Sequence, residues 1–145
     1  MGNLLAIAQR EKSKSPMDEL STTSISFENG VGTDFRGKKR GKRQVTILTE
    51  ECWNEASRIH GAEIPWTTRR ANLFISGFDL EKSKGKTLII GDVQLEITGE
   101  LSPCNRMDEQ FQGLTKALDL NWRGGVTCKV ISEGKFKIND VITIN

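Results

Sequence analysis

Apolar and polar residues alternate along this chain in short runs, and the alternation predicts strands more than helices. Asn3 to Gln9 sets Leu5 and Ile7 among small residues, Thr22 to Phe27 is β-branched with a period of two, and Gln44 to Leu48 repeats the pattern. Thr87 to Ile90 and Val93 to Ile97 flank Gly91-Asp92, with Val93, Leu95 and Ile97 on one face, which predicts a hairpin. Val126, Cys128 and Val130 alternate inward and make Cys128 a core residue. Glu133-Gly134 reads as the centre of a second tight hairpin, whose return carries Phe136 and Ile138 before a last strand from Val141 to Ile144.

Helical spacing is confined to two places. Thr49 is a good N-cap, Glu50 and Glu51 suit a first turn, and Cys52, Ala56 and Ile59 recur at near-helical intervals before Gly61. In that short amphipathic helix Cys52 and Trp53 are packing residues, and His60 sits at the end where a cation meets the helix dipole. Leu114, Ala117 and Leu118 predict one or two further turns. Lys12 to Glu19 reads as a polar connection, Gly30 to Asp34 as a turn, and Glu63 to Leu73 as a loop leading into extended chain, with Arg69 and Arg70 pointing opposite ways. Seven or eight short strands with two or three short helices predict a mainly β fold, an antiparallel, strongly bent β-barrel or sheet.

The 145 residues suit one domain, 1–145, able to bury a core without staples, so folding calls for no cofactor. Three cysteines without a C-x-x-C pair, beside one histidine, argue against structural zinc and a disulfide framework. The cytoplasm is therefore the expected location. Leu4 to Ala8 is too short for a signal-peptide core, and no stretch approaches the roughly 18 apolar residues of a membrane span.

The net charge of +2 names no partner, but six of the eight residues from Arg36 to Arg43 are basic. A solvated hairpin tip or an anion site explains that run. With no aromatic residue inside it and a nearly neutral chain around it, nucleic acid is a less favoured partner than an anionic small molecule.

Reactive chemistry concentrates at Cys104. Ser102-Pro103 stops the preceding strand and places the thiol at a loop corner. Asn105 to Phe111 contains no helix breaker, so helical N–H groups and Arg106 would lower the thiol pKa and favour the nucleophilic thiolate. Arg123 is a second candidate to stabilise the anion, and Gly124-Gly125 behind it would permit close backbone approach to a ligand. Asn72, polar between apolar neighbours, suits a turn.

Together, Gly91 to Thr98, Pro103-Cys104, Arg123-Gly124-Gly125 and Gly134 to Val141 resemble, in order and spacing, the MOSC domain. This is the β-barrel module found in molybdenum-cofactor sulfurases, in amidoxime-reducing components and as small stand-alone proteins. The resemblance spans about Gly30 to Ile144. It implies a barrel with a cleft, and a cysteine that carries sulfur as a persulfide or meets the molybdenum of a pterin cofactor. Cys104 matches that cysteine, Arg123 the arginine of the Arg-Gly-Gly turn, and Asn72 the asparagine of a Glu-Asn-Leu motif.

If molybdopterin binds, the Cys104 thiolate suits the molybdenum as a soft ligand, and guanidinium groups suit the cofactor phosphate, which makes Arg36, Arg70 and Arg123 its candidates. Asn72 and Arg106 complete the candidate cofactor-binding set. The chain departs from the family pattern at Ala71, where the acid is missing, and at Gly32-Thr33-Asp34, which lacks a following histidine. The implied partners are a cysteine desulfurase, a pyridoxal-phosphate enzyme, as sulfur donor, and a molybdoenzyme or its cofactor as acceptor. No sequence feature sets an oligomeric state. Two other functions fit the sequence: a molybdenum-dependent redox enzyme served by a separate electron donor, and a non-catalytic anion or nucleic-acid module built on residues 36–43.

Overall fold

The computed structural model describes residues 1–103, 107–108, 111–119 and 121–145. Among them eleven strands form two sheets. The larger sheet closes on itself. Its seven barrel strands are β1 (Gly2–Gln9), β5 (Val45–Thr49), β6 (Leu73–Ser76), β7 (Thr87–Ile90), β8 (Val93–Glu100), β9 (Val126–Ser132) and β11 (Val141–Ile144). The ring runs β1, β11, β7, β8, β9, β5, β6 and back to β1, and β2 (Asp18–Leu20) pairs with the far half of β1. The smaller sheet orders β10 (Gly134–Lys137), β3 (Thr22–Ser26) and β4 (Gly30–Val31).

The predicted antiparallel barrel is present, with one parallel pair. Strands β5 and β6 run in the same direction, Ile47 opposite Leu73 and Thr49 opposite Ile75. Parallel neighbours need a crossover, and α1 (Glu50–His60) supplies it. Thr49 caps α1 by accepting the Cys52 N–H at 3.1 Å, and Gly61 ends it in the left-handed conformation at φ 91°. Ile47, Leu73 and Ile75 point into the barrel core. Leu48 points the other way, joining Trp53, Ala56, Met107, Leu114 and Leu118 in a second core beneath α1 and α2 (Leu114–Leu118). That is why all five residues of β5 are buried and it reads as a continuous apolar run.

Three local expectations are corrected. Lys12 to Glu19 is not wholly a connection, because Asp18–Leu20 pairs with β1. Gly30-Val31 is a strand instead of a turn, since Val31 pairs with Ile25. Glu133-Gly134 does not centre a hairpin. The chain leaves β9 there and pairs β10 with β3, Phe136 opposite Thr23. The corner is set by packing on the β7–β8 turn, where a Cβ at Gly134 would lie 3.2 Å from the Asp92 Cβ, and by the Ser132 hydroxyl donating to the Asp92 carbonyl at 2.8 Å. No helix among the described residues is long and apolar enough to cross a membrane.

Candidate functional site

Strand β8 delivers the chain to Pro103. Its exit is fastened to the turn that precedes β9: Leu101 N–H donates to the Gly125 carbonyl at 2.8 Å. Beneath both segments lies Arg69, only 7% exposed, which donates from Nε to the Gly124 carbonyl at 2.9 Å and from its terminal nitrogen to the Leu101 carbonyl at 2.7 Å. Arg69 and Arg70 do reach different partners, but not because the chain is extended here. Trp66–Arg69 is a 3-10 turn and Arg70 takes a left-handed backbone at φ 63°, which swings Arg69 into the protein.

Gly124-Gly125 permits close approach, but to the protein's own backbone. A Cβ on Gly124 would lie 2.5 Å from the Leu101 carbonyl oxygen and 3.3 Å from the Pro103 Cδ, and one on Gly125 would lie 2.3 Å from the Ile47 oxygen. Contacts this short exclude any side chain. Residues 101–103 and Gly124-Gly125, about twenty residues apart in sequence, are thereby brought side by side. Cys104 and Arg106 themselves lie outside the described residues.

Arg123 is half-buried and donates to the Ala117 carbonyl at 3.3 Å, near the end of α2. It also lines a cavity of about 590 Å³ with Glu51, Cys52, Glu55, Asp79 and Glu81. Burial holds the Cys52 thiol above its usual pKa; the Thr49 hydrogen bond opposes it, Asp79 and Glu51 add to it, and Arg123 opposes it least. A thiol kept protonated is a poor nucleophile. Cys52 is partly buried and lines the cavity instead of joining either apolar core, whereas Trp53 packs in the second core as the sequence suggests. Cys128, fully buried in the barrel, has its pKa driven far up by desolvation. His60 bonds through Nε2 to the Gln112 carbonyl at 2.9 Å and meets the Phe111 ring edge-on.

The other predicted site residues are dispersed. Asn72 is 3% exposed and joins three strands: its Oδ1 accepts from the Thr46 N–H at 3.1 Å and its Nδ2 donates to the Ala8 carbonyl at 3.2 Å. Arg70 donates to the Ser15 carbonyl. Arg36 is exposed in a 3-10 turn, Arg36–Lys38, ahead of β5. The residue that sequence reasoning missed is Arg69. Pro65 shortly before it was the available signal that the segment turns.

A model of the MOSC domain family matches residues 23–143. Among solved structures, the YuaD protein of Bacillus subtilis superposes with a TM-score of 0.85 at 20% identity, over 99% of this chain and 96% of that one. YiiM of Geobacillus stearothermophilus gives 0.77 at 13% identity, covering 100% and 75%, and YiiM of Escherichia coli gives 0.73 at 14%, covering 99% and 69%. At these identities the likeness establishes the fold. No curated protein matches the chain.

Proposed function

The chain belongs to the MOSC domain family, and from that premise we propose that it is a sulfur carrier whose acceptor is Cys104. One observation carries the reading. The backbone entering Cys104 is clamped by Arg69 against the Gly124-Gly125 turn, so the family's two motif stretches share one corner of the barrel. On this reading the thiol that follows Pro103 is the one presented to a partner's persulfide. The other two cysteines support the assignment by their environments, since burial raises the pKa of both.

In the transfer, the Cys104 thiolate attacks the outer sulfur of a persulfide on a cysteine desulfurase. The new S–S bond forms on Cys104 as the donor's own S–S bond breaks, and the donor cysteine leaves as its thiolate. Cys104 then holds the persulfide, a reversible cap, until an acceptor nucleophile takes the outer sulfur by the same displacement. Arg106 and Arg123 are the cations proposed to favour the thiolate.

The family is associated with the molybdenum cofactor. Of the described side chains nominated for that cofactor, three do not fit its phosphate: both ends of the Asn72 side chain are bonded inside the barrel, Arg70 is bonded to Ser15, and Arg123 shares its cavity with Glu51, Glu55, Asp79 and Glu81, which would repel a phosphate. Arg36 lies apart from them, in the turn ahead of β5. The sulfur transfer written above needs none of them as a phosphate ligand.

Intact-mass analysis of the reduced protein after incubation with a cysteine desulfurase and cysteine tests the proposal. A gain of one sulfur in wild type, Cys52→Ala and Cys128→Ala, lost in Cys104→Ala, is the expected result. No gain, or a gain that survives Cys104→Ala, overturns it.

A further inference from the structure

The basic run is not a loose tip. Buried Asp34 accepts the N–H of Gly37 at 3.2 Å and of Arg10 at 2.9 Å, and Gln44, also buried, donates from Nε2 to the carbonyls of Gly37 at 3.0 Å and Phe27 at 2.7 Å. On the other side the Thr98 hydroxyl of β8 donates to the Lys42 carbonyl. Residues 36–43 are thus held to the barrel at Gly37, Lys42 and Gln44, while all six basic side chains are exposed.

The same anchoring gathers aromatic groups that the sequence keeps outside the run. Phe35 precedes it and is 45% exposed, and Phe27 is 38% exposed. Arg40 lies with its guanidinium 6.0 Å from the centre of the Phe27 ring and donates from Nε to the Phe27 carbonyl at 3.0 Å, so this ring and the basic run form one surface. Asp34 is buried under the run, Glu133 accepts the Phe27 N–H at 2.9 Å, and Glu28 is the exposed carboxylate beside Phe27. Six positive charges sit here in a chain of net charge +2, so the remainder is net −4.

From this surface we propose that residues 27–43 bind single-stranded nucleic acid. An unpaired strand alternates flat bases with phosphates, and two exposed rings set among fixed cations match both parts. An anionic bilayer would use the charge and bury the rings without stacking on them, so vesicles are an arm of the test below, and a duplex would offer no unstacked base to meet them. The run feeds into β5 at Val45, whereas the cavity lined by Arg123 lies past the far end of that strand, at Glu51, about 16 Å along it at the usual rise per residue.

Fluorescence anisotropy with labelled oligouridine and oligodeoxythymidine of about 12 nucleotides tests this. If Lys38, Lys39, Lys42 and Arg43 each neutralise one phosphate, log affinity falls with log salt at a slope of about −2.8, a loss of about 50-fold between about 50 and about 200 mM salt. The triple variant Lys38→Gln, Lys39→Gln, Lys42→Gln should reduce that slope to about −0.7. Phe27→Ala and Phe35→Ala should each weaken binding at least about fivefold, and Cys104→Ala should bind as wild type. Comparison of single strand, duplex and phosphatidylserine vesicles needs no variant. Equal or tighter binding of duplex or vesicles by the wild-type protein, or failure to bind either oligonucleotide, overturns the proposal.

Discussion

Replacing Arg69 by Met keeps the length and apolar stem of the side chain and removes only its guanidinium. Two hydrogen bonds from a charged donor disappear, at 2.9 Å to Gly124 and 2.7 Å to Leu101. Bonds of this kind contribute about 1.5–3 kcal/mol each, and the relief of no longer burying a cation offsets part of the loss. The expected destabilisation is about 2–5 kcal/mol, within the roughly 5–15 kcal/mol that a domain commands, so the variant should fold and yield a full urea transition. The effect should also be local. Leu101 N–H, bonded to Gly125, should lose hydrogen-exchange protection more than the amides of the β7–β8 hairpin. Arg69→Lys keeps the charge but cannot fork between two carbonyls, and should fall between Met and wild type. If the clamp positions Cys104, sulfur uptake should slow in Arg69→Met even under conditions where the protein is fully folded. A loss below about 1 kcal/mol with Leu101 exchange unchanged would show that the guanidinium is not the fastener described.

Other positions give equally direct checks. Asn72→Ala leaves the Thr46 N–H and the Ala8 carbonyl without their side-chain partner and should reduce stability by about 2–4 kcal/mol in urea. Asn72→Asp should do no better, because a carboxylate would face the Ala8 carbonyl. Gly125→Ala sets a Cβ 2.3 Å from the Ile47 oxygen at φ +102°, and melting should drop by at least about 4 °C. Cys128 makes stability fall at alkaline pH. Its folded pKa is raised, so above the unfolded value near 8.5 the unfolded chain loses the proton first, and stability declines by up to about 1.4 kcal/mol per pH unit. Cys128→Ala should be less stable at neutral pH yet show a shallower decline between about pH 9 and pH 11, and an unchanged slope would refute the assignment.

The strands and α1 were readable because their signals are local. Period-two alternation in Val93 to Ile97, the Thr49 cap and the Gly61 stop each depend on neighbours within one turn or one hairpin. The partner of β10 was not readable, since adjacency to β9 favours a hairpin and only packing on Asp92 and Val93 diverts the chain to β3. The polar residues mislead for a deeper reason. Closing this barrel buries backbone groups where strands end, at Ala8, Thr46, Leu101 and Gly124, and each needs a partner. Asn72 and Arg69 supply those partners across 64, 26, 32 and 55 residues of sequence. Read along the chain, Asn72 suits a turn and Arg70, not Arg69, looks like a ligand group. In the fold, Asn72 and Arg69 satisfy the backbone, and the glycines placed to approach a ligand approach Leu101 and Ile47 instead. Residues 101–103 and Gly124-Gly125 are neighbours because β8 and β9 pair as far as Glu100 and Val126, so, if Cys104 is the sulfur acceptor, substitutions that disturb that pairing should impair sulfur uptake even when they touch neither Cys104 nor Arg123.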